Sequence, residues 1–154
     1  MPITSNTQVD VEADVPARLR AIVGKISRRL NATARGAGLT TSQLSALGVI
    51  ARTGPIRLSE LAEVEHMNPT MLSRVVGALV EAGLVRRRVD PDDRRAGLVE
   101  VTATGRRTHD RLRAERGRIL ASGLNAIDSE QRAAIEVALP ALEALVAAMR
   151  RGDM

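Results

Sequence analysis

Residues 59–102 read SELAEVEHMNPTMLSRVVGALVEAGLVRRRVDPDDRRAGLVEVT, and the fold turns on how this stretch is punctuated. Asn68-Pro69 is a strong helix start. The asparagine oxygen can take an orphan amide, and proline at the first helical position gives up a donor that would have had no partner. The helix runs to Ala82 and stops at Gly83, with Met67 and Leu72 placed to staple its entry. Met71, Leu72, Val75, Val76, Leu79 and Val80 form one broad apolar stripe that is expected to be buried. Opposite lie Thr70, Ser73, Arg74 and Gly77, small or hydrogen-bonding apart from one arginine. A merely solvated face would more usually carry Glu and Lys. This one can press into a major groove and offer donors to phosphates and base edges.

Just upstream, Ser59 is expected to cap a brief helix ending near Glu65. Ala62 permits a close crossing, and His66, Met67 and Asn68 make a three-residue turn, the spacing of a helix-turn-helix. His66 has no second ligand nearby and reads as a structural or exposed turn residue rather than a metal ligand. Downstream, Leu84 to Val89 and Leu98 to Thr102 read as two strands joined by a turn around Asp90 to Gly97. Arg86, Arg87 and Arg88 line the outgoing strand, and Arg94 and Arg95 sit at the tip among Asp90, Asp92 and Asp93. The aspartates nearly cancel the local charge, so their expected role is to orient particular arginines by charge-assisted hydrogen bonds. An oriented arginine at a hairpin tip suits the concentrated negative potential of a minor groove.

Outward from this centre the signals are helical. Thr40 with Gln43 spells a capping box, and Leu39 with Leu44 a hydrophobic staple, for a helix that stops at Gly54-Pro55. Ile56 to Leu58 is short and β-compatible. Val15, Leu19, Ile22, Val23, Ile26 and Leu30 recur at helical spacing, closed by Gly36 and Gly38. Residues 1–13 read as a disordered arm. After Thr102 a fifth helix begins, and Asp128 with Gln131 can cap a sixth. In that last helix Ile135, Leu142 and Met149 repeat every seven residues with Ala138 and Leu145 between them, a narrow seam suited to another helix. Pro140 interrupts its hydrogen-bond ladder. The expected fold is mainly α: a winged helix-turn-helix over 39–102 with a two-stranded hairpin wing. Residues 14–36 and 103–154 form the flanking helical dimerisation region. Its contacts are expected at Val15, Leu19, Ile22, Ile135, Leu142, Leu145 and Met149.

Composition narrows the function further. The chain has 154 residues, a net charge of +5, no cysteine and no Phe, Tyr or Trp. Every basic residue but Lys25 is arginine, whose planar fork matches phosphate and guanine edges. Single strands and RNA loops are usually held by stacking on aromatic rings, so duplex DNA is the better partner. The lack of thiols excludes a disulfide framework, a thiolate zinc site and a cysteine redox switch. No catalytic cluster, Walker-type loop or Gly-x-Gly-x-x-Gly is present, and no enzyme or cofactor is expected. No apolar run approaches the roughly twenty residues of a membrane span, and the acidic amino terminus lacks a secretion-signal pattern; a cytoplasmic protein is expected. The alternative is a nucleoid or RNA-binding structural protein that uses charge without sequence choice. A membrane-surface role lacks aromatic anchors.

The ordered string Leu39-Thr40, Gln43, Ser59-Glu60-Leu61-Ala62, Ser73-Arg74, Leu79, Gly83-Leu84-Val85, Asp90-Pro91-Asp92-Asp93-Arg94-Arg95, Thr102 and Gly105 resembles the MarR family of transcriptional regulators. The resemblance implies a homodimer held by its first and last helices, binding a near-palindromic operator and commonly repressing. It implies that Ser73 and Arg74 lie on the recognition helix, and that Asp93 and Arg95 form the wing tip with Asp93 bracing Arg95. The residues expected at DNA are therefore Asn68, Thr70, Ser73, Arg74, Gly77, Arg88, Asp93, Arg94 and Arg95. A small-molecule effector is also implied. Thiol oxidation and an aromatic-lined pocket, used by some members, are not available to this sequence.

Overall fold

The structure is a computed structural model and describes residues 7–93 and 97–152. Its elements follow the expected order: α1 (Thr7–Gly36), α2 (Thr41–Thr53), β1 (Ile56–Arg57), α3 (Leu58–Glu65), α4 (Pro69–Glu81), β2 (Val85–Val89), β3 (Gly97–Val101), α5 (Ala103–Ala126) and α6 (Ser129–Gly152). Among the described residues the strands form one antiparallel sheet in the order β1-β3-β2. The wing is thus three-stranded at its root rather than two-stranded. Ile56 pairs with Val99 and Arg57 with Leu98, because β3 is central and its second edge would otherwise go unpaired.

Two further expectations need correction. The amino-terminal helix starts at Thr7, inside the stretch 1–13 expected as an arm; residues 1–6 lie outside the described residues. No glycine or proline stands from Thr7 to Val15 to stop the helix short, and Pro16 lies within it. Ser59 does not cap α3. The N-cap is Arg57, with no side-chain hydrogen bond to the helix, because α3 follows directly on β1.

Compact packing runs from α1 through the first half of α5, to Arg116, and residues 117–154 form a second unit. The core of the first is aliphatic, with Leu47, Ile50, Leu61, Leu72, Val76, Leu79, Val85, Val99 and Leu112 fully buried. Ala46 and Ala62 are also buried, and their small side chains let α2 and α3 approach their neighbours. Leu112 places the start of α5 in this unit, beyond the expected boundary at Thr102. The Arg116 guanidinium donates to Asn31 Oδ1 at 2.9 Å near the end of α1. In the second unit Asp128 Oδ1 accepts from the Gln131 amide at 2.7 Å, starting α6 as its sequence anticipates.

Three helices end alike. After α1, Leu39 N–H donates to Ala34 O at 2.9 Å and Gly38 N–H to Arg35 O at 3.0 Å. After α3, Met67 donates to Ala62 O and His66 to Glu63 O; after α4, Leu84 donates to Leu79 O and Gly83 to Val80 O. This paired closure needs a left-handed residue at its penultimate position. Gly38 and Gly83 fill it at φ 72° and 70°, and exposed His66 fills it at φ 50°. His66 is therefore a turn residue that shapes the helix-turn-helix corner.

The end of α4, the root of the wing and the start of α5 meet at one point. Thr102 N–H donates to Leu84 O at 3.0 Å, and Thr102 Oγ1 accepts from Gly105 N–H at 3.0 Å as the cap of α5. A Cβ on Gly105 would overlap the Leu84 carbonyl oxygen and lie 2.9 Å from Val101 Cγ2. Backbone cannot yield as a flexible side chain can. Gly105→Ala should therefore cost about 3 kcal/mol or more of folding stability, at the upper end of overpacking effects. Urea unfolding followed by circular dichroism measures this, and an unchanged midpoint would contradict the packing described.

Candidate nucleic-acid interface

Asn68 starts α4 as its sequence anticipates: Oδ1 accepts from Met71 N–H at 2.8 Å, with Pro69 in the first turn. Leu72, Val75, Val76 and Leu79 are buried and hold the helix to the core. Thr70, Ser73 and Arg74 are exposed, and Gly77 is half-buried with open space where a Cβ would stand. These residues share one side of α4, together with Asn68 at its tip.

Met71 and Val80 depart from the expected buried stripe, at 54% and 37% exposed. At about 100° per residue, the six apolar positions span roughly 180° of the helix. Met71 and Val80 are the two extremes of that arc, so the core covers its middle and leaves its edges out. Met71 joins Thr40, Ser42, Gln43, Asn68, Thr70, Arg74 and Val75 around a groove of about 550 Å³ between the amino-terminal ends of α2 and α4. The capping box of α2 shapes the opposite wall: Gln43 N–H donates to Thr40 Oγ1 at 3.2 Å, and Thr40 N–H to Gln43 Oε1 at 2.9 Å.

The strand arginines of the wing divide by strand alternation. Arg86 and Arg88 share a face, and both reach Glu100 on β3: Arg86 through Nε, and Arg88 through Nη1 at 2.9 Å. Glu100 is nearly buried, and the hydrogen bond from Arg88, then that from Arg86, keep its carboxyl below the usual range. One carboxylate thus orients two guanidiniums that remain mostly exposed. Arg87 points to the other face, opposite Val99, is exposed, and has no carboxylate partner among the described residues. Asp93 is exposed at the tip; Arg94 and Arg95 lie outside the described residues.

The aspartate that organises the wing root is Asp90, 3% exposed. Its Oδ2 accepts from Arg57 Nε at 2.8 Å and Nη2 at 2.7 Å. Its Oδ1 accepts from the Asp92 amide at 2.9 Å. The Asp92 amide, followed by the Arg57 hydrogen bond, depresses the Asp90 pKa, and Asp90 in turn raises that of Arg57. Sequence reading anticipated aspartates orienting arginines but not this pair. Arg57 and Asp90 are distant in the chain, and no local spacing links them; only the pairing of β1 with β3 brings them together.

A second cleft, of about 300 Å³, lies between α2 and α5 and is lined by Leu44, Ser45, Gly48, Arg52, His109, Leu112, Arg113 and Arg116. His109 is 9% exposed, with Nδ1 3.1 Å from Asp110 Oδ1. A Cβ on Gly48 would meet Arg52 Nη1 at 3.1 Å and His109 Nε2 at an ordinary contact distance of 3.7 Å. Sequence reading named Leu44 only as a staple and did not gather these residues into one site, because they come from two helices far apart in the chain.

The MarR family model matches residues 39–96. The chain is 30% identical over 138 residues to the HTH-type transcriptional regulator Mb0904 of Mycobacterium bovis, covering 90% of this chain and 96% of that protein. It is 25% identical to the HTH-type transcriptional repressor MdtR of Bacillus subtilis over 77% of each chain. Its fold is similar to a putative transcriptional regulator of Pseudomonas aeruginosa, with a TM-score of 0.77 and 31% identity over 92% of this chain and 98% of the other. Among the described residues, no helix is long and apolar enough to cross a membrane.

The Asp90 clamp carries a pH signature. A carboxyl whose pKa is depressed by folding stabilises above its unfolded value, and that contribution is lost as pH falls through the folded value. Asp90→Asn should therefore melt below the parent at pH 7. The gap should close as pH falls from about 4, the ordinary aspartate value, through the depressed one. Thermal melts across that window test this; a gap that stayed constant would show that the charge is not what holds the wing root.

Proposed function

Given that this chain belongs to the MarR family of DNA-binding transcriptional regulators, we propose that it is a repressor. It acts as a homodimer that seats two copies of α4 on a near-palindromic operator. The observation that carries this reading is the face of α4: Thr70, Ser73, Arg74 and Gly77, with Asn68 at the tip, stand clear of a firmly buried stripe. Gly77 lets the backbone come close to DNA, Thr70 and Ser73 supply short hydrogen-bonding groups, and Arg74 can meet guanine O6 and N7. The wing lies along the flanking minor groove, with Arg88, Arg94 and Arg95 toward the backbone and groove and Asp93 bracing Arg95. The Arg57–Asp90 clamp and the Glu100 bracket support this by holding the wing's root and its strand arginines in place. Repression agrees with the similarity to MdtR, a transcriptional repressor.

The dimer rests on uncovered apolar surface. On α1, Val15 and Ile22 are about half exposed and Leu19 is half-buried. On α6, Ile135, Leu142, Leu145 and Met149 are 40–63% exposed, and none of its described side chains is buried. An apolar stripe of this length is normally covered, and a second copy supplies a matching one. The arginine-lined cleft between α2 and α5 suits a small organic anion as effector, because Arg52, Arg113 and Arg116 would attract charge while Leu44 and Leu112 offer apolar contact.

Selection of bound duplexes from a random pool tests the function. A sequence-specific regulator should enrich a near-palindrome whose half-sites lie about one DNA turn, roughly 34–36 Å, apart. A structural nucleoid protein would enrich nothing. On the selected site, Arg74→Ala should cost about 1–3 kcal/mol and relax preference at one symmetric pair of positions. Fluorescence-anisotropy titrations at fixed salt read both effects; a loss spread evenly over all sequences would reassign Arg74 to the phosphates.

Sedimentation provides the second check. The full-length chain should run as a dimer at micromolar concentration, and the double substitution Leu142→Glu with Leu145→Glu should shift it to monomer and abolish most operator affinity. A parent protein sedimenting as a monomer would refute the architecture.

A further inference from the structure

Met71 is the exposed apolar side chain in an otherwise polar groove. Of the groove's lining residues, Thr40, Ser42, Gln43, Asn68, Thr70 and Arg74 are polar, and Val75 is buried at 9%. Met71 is 54% exposed and occupies the third position of α4, whose N-terminal turns meet base edges when a helix-turn-helix docks. Its backbone amide is bound by the Asn68 cap. About half of the residue is left in water.

The major groove offers one apolar group, the C5-methyl of thymine. A long, unbranched and polarizable side chain can reach such a group and adapt to it. We infer that Met71 is a specificity-determining residue that reads a thymine methyl in each operator half-site. The inference rests on α4 being the reading helix, as proposed above. Met71 and Arg74 are three apart on the helix, which sets their side chains about 5–6 Å apart. With base pairs stacked at about 3.4 Å, the thymine should lie within one or two base pairs of the position read by Arg74.

Replacing thymine by deoxyuridine deletes this methyl and leaves base pairing intact. Each thymine of the selected operator is replaced in turn, symmetrically in both half-sites, and titrated against the parent, Met71→Leu and Met71→Ala at fixed salt. Circular dichroism confirms that all three are folded, as expected for an exposed position. The parent should lose about fourfold in affinity per half-site at one thymine pair, the worth of one buried methyl-sized group. Met71→Leu should keep that discrimination, and Met71→Ala should bind the thymine and uracil forms alike. The inference is overturned if the parent prefers its operator yet Met71→Ala shows the same uracil sensitivity at every position; the regulator reading then still stands. If the parent prefers no duplex at all, both fall together.

Discussion

The Leu84 carbonyl oxygen accepts from the Thr102 amide at 3.0 Å, the Thr102 hydroxyl donates to the adjoining Gly83 carbonyl at 2.7 Å, and the Leu84 amide closes α4 on Leu79. Gly105 packs directly over the same peptide. This short backbone segment thus joins the end of α4, the first wing strand and the start of α5. Because backbone groups cannot repack, the angle between α4 and the wing is set here with little freedom. The proposed placement of α4 in one groove and the wing in the next would need that angle to be the same in every molecule.

Charge then refines what packing has set. The wing carries arginines and carboxylates in similar number, which would make a poor polybasic tether. The carboxylates work as fixtures instead. Asp90 is sunk against Arg57 and the Asp92 amide, and Glu100 accepts from both Arg86 and Arg88. An arginine held in place loses less conformational freedom on meeting a phosphate or a base edge than one free in solvent. On the proposed binding mode, the negative groups at the wing would favour binding by preorganisation even though they subtract from net charge.

The apolar residues left outside the core are of two kinds, matching the two partners proposed for them. On α1 and α6 they are long and repeated, fit for a surface as extended as another copy of the chain. On α4 there is a lone methionine at the edge of a polar groove, fit for something as small as a methyl group. The two cases differ in scale, and the area each leaves uncovered differs with them.

The sequence by itself determined the elements and their order, because those rest on local physics. Asn68-Pro69, the Thr40–Gln43 box, Asp128, and the glycines after α1 and α4 act within a few residues of where they stand. The periodicity of α4 likewise marked Thr70, Ser73, Arg74 and Gly77 as its open face before any packing was known. Tertiary structure decided what depends on distant partners. The pairing of β1 with β3 joined Arg57 to Asp90 and added the third strand, and the crossing of α2 with α5 gathered Arg52, His109, Arg113 and Arg116 around one cleft. It also decided which members of a broad apolar stripe are covered. A helical pattern gives the direction in which Met71 points, but only the shape of the neighbouring core determines how far round the helix that core reaches.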